Sequence, residues 1–255
     1  MSAFDIELHN VSFEVRFGDG FLYLDKCGQT LLDITRVHKQ WVVTDVNVQG
    51  GSLDRYDTAC KIIFSSDKFN FIAPKAQTQS IEEISSEAST VWKFVKNNLG
   101  ISDILRVGTR FIYLLPTKSN EHSESLLSRC KLNIDIPDDL LKNGFSVKTR
   151  NITTILQKDS YEYRINLGGV ARYESVEPDA LATKDPRFLS KNQREARLSQ
   201  LKNLSRYKSD PMFAVQLDVD CFSELIELES VKDEILCQAR IVKDFLLELV
   251  GIKGE

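Results

Sequence analysis

Little in this sequence announces chemistry. Its three histidines, His9, His38 and His122, stand in no HExxH spacing, and CxxC, GxGxxG, Walker A and GxSxG patterns are absent too. Histidine is the usual general base near neutral pH, so its scarcity removes the commonest routes to hydrolysis and acyl transfer. No cofactor-binding motif occurs, and no cofactor is expected. Five cysteines, at positions 27, 60, 130, 221 and 237, are odd in number and far apart, which argues against a disulfide framework or a zinc knuckle. Free thiols in a reducing cytoplasm are the expectation. The longest apolar runs, such as Phe245 to Val250, fall well short of the roughly 20 residues that span a bilayer, so no membrane role is expected. Met1-Ser2-Ala3-Phe4-Asp5 has no basic stretch leading into an apolar one, so no secretory leader is expected either. A basic excess is missing as well. Thirty-three Lys and Arg face 37 Asp and Glu across 255 residues, a net charge of -4, so any binding of nucleic acid must come from a local patch.

What remains is the patterning of a folded protein, with 42% hydrophobic and 27% charged residues. Phe4 to Phe17 alternates like a strand with a slip at Asn10, and Gly18-Asp19-Gly20 reads as a turn into a returning strand over Phe21 to Leu24. Trp41 to Val48 is β-rich, and Ala59 to Phe64 with Phe69 to Ala73 reads as a hairpin closed by Pro74. Ser80-Ile81-Glu82-Glu83 has capping-box spacing ahead of Ile84, Ala88, Val91 and Val95, which share one helical face as far as Gly100. Leu105 to Leu115 is a strong strand, ended by Pro116 and a polar loop over Thr117 to Ser125. Phe145 to Leu156, Tyr161 to Tyr173 and Met212 to Phe222 are again β-rich. Ser230 then caps a second amphipathic helix carrying Val231, Ile235, Ala239 and Val242.

The expected fold is α+β, an antiparallel sheet with two main amphipathic helices. Its repeated order points to a tandem duplication, with a first β-meander-plus-helix half over 1–120, a connection over 121–143 and a second half over 144–255. The endings Phe94 to Ile101 and Phe245 to Ile252 echo one another at the same spacing. Residues 184–210 interrupt the second half as a basic insertion.

Three groups of residues invite a functional reading. Arg106 and Arg110 share a strand face with Gly108 between them, an arrangement suited to an anion or carboxylate clamp. Asp218 and Asp220 likewise share a strand face and suit a hard metal, an acid/base pair, or ion pairing with the two arginines across the sheet. The simpler alternative is that each pair decorates a solvated strand face. In the insertion, Lys184, Arg187, Lys191, Arg194, Arg197, Lys202, Arg206 and Lys208 outnumber three acids and form the candidate nucleic-acid surface, with Phe188 and Tyr207 available for stacking. The plainer reading is a solvated helix surface. The lone pairs Gly50-Gly51 and Gly168-Gly169 read as turns or bulges rather than phosphate cradles.

The strand Arg106-Val107-Gly108-Thr109-Arg110-Phe111-Ile112, directly after the first amphipathic helix, resembles a strand of a sporadically distributed bacterial family of uncharacterised proteins of about this length. Leu217-Asp218-Val219-Asp220-Cys221-Phe222 is similar to that family's strand ahead of its C-terminal helix. The resemblance implies the architecture and brings no reaction, cofactor or catalytic residue with it. With no catalytic spacing on the page, the expected function is non-enzymatic binding of an unidentified protein partner or self-association. Nucleic-acid binding through the insertion comes second, and a metal-dependent enzyme using Asp218 and Asp220 third.

Overall fold

A computed structural model describes residues 6–18, 20–171, 191, 193–195, 213–224, 227–246 and 248. Alternation on the first strand organises everything after it. In β1 (Glu7–Phe17), Val11, Phe13, Val15 and Phe17 are buried, while the residues between them turn the other way. A register shift between Leu8 and Asn10 lies at the slip in the alternation. Gly20 then brings the chain hard against the Ser66 carbonyl, to which its own N–H donates at 3.0 Å; a Cβ there would stand 2.2 Å from that oxygen. Only glycine permits this approach.

The expected returning strand at Phe21 to Leu24 is instead the entry to a helix, α1 (Tyr23–Val37). Tyr23, Cys27, Leu31 and Ile34 recur at helical spacing and are buried, so the aromatic run at its start serves a helical face. The meander β2 (Trp41–Val46), β3 (Gly51–Arg55), β4 (Lys61–Phe64) and β5 (Lys68–Ala73) follows. A 3-10 turn over Ala76–Thr78 leads into α2 (Ile81–Leu99). The Ser80 hydroxyl accepts from the Glu83 N–H, the Glu83 carboxylate accepts from the Ser80 N–H, and Gly100 ends the helix in the left-handed conformation.

The strand β6 (Ile104–Thr117) runs past Pro116, which pairs with Ala214 beyond the point where β1 stops at Glu7–Leu114. The polar stretch expected to be a loop holds α3 (Asn120–Ser128), capped by Ser119, whose hydroxyl accepts from the His122 N–H. A short α4 (Asp138–Lys142) precedes β7 (Asn151–Lys158), so the β-rich reading from Phe145 begins six residues early. The chain continues through β8 (Tyr161–Ala171), β9 (Phe213–Glu224) and α5 (Val231–Ile241), which passes into a π-turn over Val242–Leu246. Ser230 caps α5 by accepting from the Asp233 N–H.

The strands form one antiparallel sheet in the order β2-β3-β4-β5-β1-β6-β9-β8-β7. This is an α+β fold with one continuous sheet and, besides the two expected helices, a third long one in α1. Register places Val43, Leu53, Ile62, Phe71, Phe13, Thr109, Cys221, Tyr163 and Leu156 in a single row across all nine strands. The helices cover that face. Trp92 of α2 packs on Phe17 and Phe69, Cys27 of α1 lies over Gly51, Ser123 of α3 lies over Gly169, and Gln238 of α5 accepts the Tyr163 hydroxyl at 2.9 Å. Gly51 and Gly169 therefore serve close helix-on-sheet packing rather than turns. No described helix is long and apolar enough to cross a membrane.

Candidate functional site

The opposite face of the sheet is polar. Its central rows come from alternate residues of the strands that build the core, so core alternation on β1, β6 and β9 delivers the charges to one place. Arg110 lies half exposed on β6 and donates from Nε and Nη2 to Oδ1 and Oδ2 of Asp218 at 2.7 and 2.5 Å. Asp218 itself is only 6% exposed. A buried carboxylate gripped at both oxygens by one guanidinium is the strongest pairing these groups offer. The same contact holds the Arg110 proton more tightly than usual.

Arg106 is held by three partners. Its guanidinium stacks 4.2 Å from the centroid of Phe222, donates from Nη1 to Glu14 at 3.1 Å, and lies 3.8 Å from Asp220. Gly108 makes room for this stack. It pairs directly with Phe222, and a Cβ at that position would stand 3.3 Å from the Phe222 Cβ. Asp220 sits between Arg106 and Arg110, yet burial raises its pKa, and the two arginines only partly offset that. Together Ser12, Glu14, Arg16, Asn70, Arg106, Arg110 and Asp220 line a depression of about 320 Å³ spanning β5, β1, β6 and β9.

Of the two aspartates, Asp218 thus has both oxygens occupied by Arg110, whereas Asp220 stands only near Arg106. Among the described residues no group of three or more His, Cys, Asp and Glu could hold a metal. Of the insertion's basic residues, Lys191 and Arg194 are described, both helical and exposed, and the neighbouring Gln193 amide donates to the Val43 carbonyl on β2 at 3.1 Å. Lys184, Arg187, Arg197, Lys202, Arg206 and Lys208 lie outside the described residues.

A second concavity was invisible in the sequence. A cleft of about 500 Å³ opens between the first turns of α2 and the strand ends at β2 and β3, lined by His38, Trp41, Arg55, Thr58, Gln79, Glu83 and Glu87 among others. Arg55 donates from Nε and Nη2 to Asp57 at 2.6 and 2.9 Å and pairs through Nη1 with Glu87. Glu87 also accepts the Trp41 indole N–H at 3.1 Å. Burial raises the Glu87 pKa, and Arg55 opposes the shift. These residues are scattered over His38 to Glu87, and each alone looks like a charge on a solvated surface. The capping box at Ser80 fixes the start of α2, and hence the azimuth of Glu83 and Glu87, but nothing local says what they face.

The chain matches no protein-family model, no curated protein and no solved structure.

Proposed function

We propose that this chain is a non-enzymatic binding module that recognises another protein through the polar face of its sheet. The observation that carries the reading is the pre-organised charge platform around the central depression, with Arg106 and Arg110 held in place by Phe222, Glu14 and Asp218. Side chains already fixed by neighbours lose little further freedom on binding, which is what a recognition surface needs. Register puts Arg16, Lys61, Lys68, Arg106, Arg110 and Arg164 on that face against Glu7, Glu14, Asp45, Asp54, Glu162, Asp218, Asp220 and Glu224. Eight anions are interspersed with six cations, close to balance with a small anionic excess. A polyanion meets no net attraction there, whereas a protein surface of interspersed charge can be matched group by group. This balance ranks a protein partner above nucleic acid, for which exposed Lys191 and Arg194 remain the described leads. The metal-enzyme reading ranks last because Arg110 already occupies both oxygens of Asp218 and Arg106 stands near Asp220.

The order of elements also supports a duplication. The strands β1 and β6 pair at the centre of the sheet, each is followed by a helix, each half then starts again at a sheet edge, adds strands inward and ends in a helix, and the two end helices α2 and α5 pack together. The resemblance to a bacterial family fits the same architecture, and five free cysteines fit a reducing, cytoplasmic setting.

Affinity capture from nuclease-treated lysate with wild type and an Arg16→Glu/Arg106→Ala variant tests the reading. Protein partners retained by wild type and lost by the folded variant support it. An unchanged set of partners, or partners that vanish on nuclease treatment of the wild type, overturns it.

A further inference from the structure

We propose that the cleft between α2 and the β2–β3 end of the sheet is a binding site for a small organic cation bearing N–H donors, an alkylammonium or guanidinium group. The site is separate from the polar face and does not depend on the function assigned to that face. Its charge fixes the sign of the ligand. Glu83 and Glu87 line the cleft, Asp57 clamps Arg55 from one side, and among the described lining residues Arg55 is the one cation. Two lining carboxylates against one guanidinium leave an excess of negative charge in the cleft, and Asp57 beside Arg55 adds to it from outside the lining. Arg55 is already paired with two carboxylates, through Nε and Nη2 with Asp57 and through Nη1 with Glu87, so its charge is more than matched before any ligand arrives.

Hydrogen-bonding capacity points the same way. His38 Nε2 is buried and has no partner. An unpaired ring nitrogen here leaves a place for one ligand hydrogen bond, accepted from a ligand N–H when the ring proton is on Nδ1. Glu87 is largely withdrawn from water and its charge is destabilised by burial; a ligand cation beside it would relieve that cost. Glu83 sits exposed at the rim with one carboxylate oxygen engaged by the Ser80 N–H, leaving the other to draw a cation inward. A volume of about 500 Å³ accommodates such a group with several atoms of its chain.

Trp41 reports on the cleft because its indole N–H is bonded to Glu87. Trp92, packed against Phe17 and Phe69, supplies an internal control. The experiment titrates ethylguanidinium chloride and putrescine into the full chain, with sodium acetate at equal ionic strength as the anion control, and follows both indole N–H signals by NMR. The expected result is a saturable shift of the Trp41 signal with either cation, a stationary Trp92 signal, and no saturable response to acetate. Glu83→Gln at the rim should weaken binding roughly two- to fivefold, as expected for loss of an exposed charge pair. Glu87→Gln should weaken it roughly tenfold or more, because that charge lies deeper. If Glu87→Gln fails to fold, Glu83→Gln carries the comparison alone. The proposal is overturned if neither cation gives a saturable Trp41 shift at tens of millimolar, if acetate shifts it equally, or if Glu83→Gln leaves the affinity unchanged.

Discussion

Strand β6 belongs to two different environments. Val107, Thr109 and Phe111 point into the helix-covered core, while Arg106, Gly108 and Arg110 between them face the charged side of the sheet. On the first face, burial of apolar surface does the stabilising and residues are interchangeable within limits of volume. On the second, the groups are polar, partly accessible and mutually oriented, and their value lies in what they can be matched against. The contrast separates what makes the sheet stable from what the sheet can recognise. It is broken most directly by substitutions on one strand whose effects ought to differ by face.

The largest effect belongs to the core. Phe111 is fully buried at the centre of the sheet, and Phe111→Ala should destabilise by about 3–5 kcal/mol in chemical denaturation. A cost as small as that of a surface substitution would mean the helix layer does not seal this face.

Next comes the pair on the opposite side. Arg110→Ala leaves the Asp218 carboxylate without its two donors in a poorly solvated position. Loss of a buried ion pair's partner costs about 3–5 kcal/mol, but Arg110 is half exposed and water can fill part of its place, so about 1–3 kcal/mol is expected. A double-mutant cycle of Arg110→Ala with Asp218→Ala should give a coupling of about 1 kcal/mol or more. Zero coupling would break the contrast, because the charges would then be independent decoration.

How much of this arrangement was legible beforehand follows from the range over which each signal acts. Alternation in β1, the Ser80–Glu83 capping box and the Ser230 cap are local, and each lies where the sequence places it. The helix α1 was misread because Leu22 supplies no side-chain cap and the aromatic run before Cys27 looks like a strand; only the buried spacing of Tyr23, Cys27, Leu31 and Ile34 betrays it. The strand β3 escaped notice because five residues containing Asp54 carry too little alternation to register. The facing of Arg110 and Asp218 was readable as a shared strand face, although their adjacency depends on β6 pairing with β9, more than a hundred residues away. The cleft was not readable at all, since Trp41, Arg55 and Glu87 meet only through tertiary packing.

Thr109 tests the apolar face from the inside. Its hydroxyl is buried in the row between Phe13 and Cys221 and has no partner. Thr109→Val keeps the branched shape and removes the unpaired group, so stability should rise by about 1 kcal/mol. A loss of stability would show that the hydroxyl is satisfied in solution and that this face is less dry than its neighbours imply.

The smallest effect is a dependence on pH at Asp220. Burial raises its pKa in the folded protein above the ordinary aspartate value, against the pull of Arg106 and Arg110. The folded state therefore holds this proton more tightly than the unfolded chain does. The associated stability is fully present below the unfolded pKa and is lost as pH rises through the folded one. Asp220→Asn removes the titration and preserves the shape. Subtracting the variant's unfolding free energy from that of the wild type, measured across the acid range, should thus leave a difference that falls with rising pH just above the ordinary aspartate value. Other titrating groups are shared by both proteins and cancel. A difference that rises with pH would mean that the two arginines outweigh burial. The charged face would then be held together by attraction alone, and its readiness to accept a partner's charges would need another source.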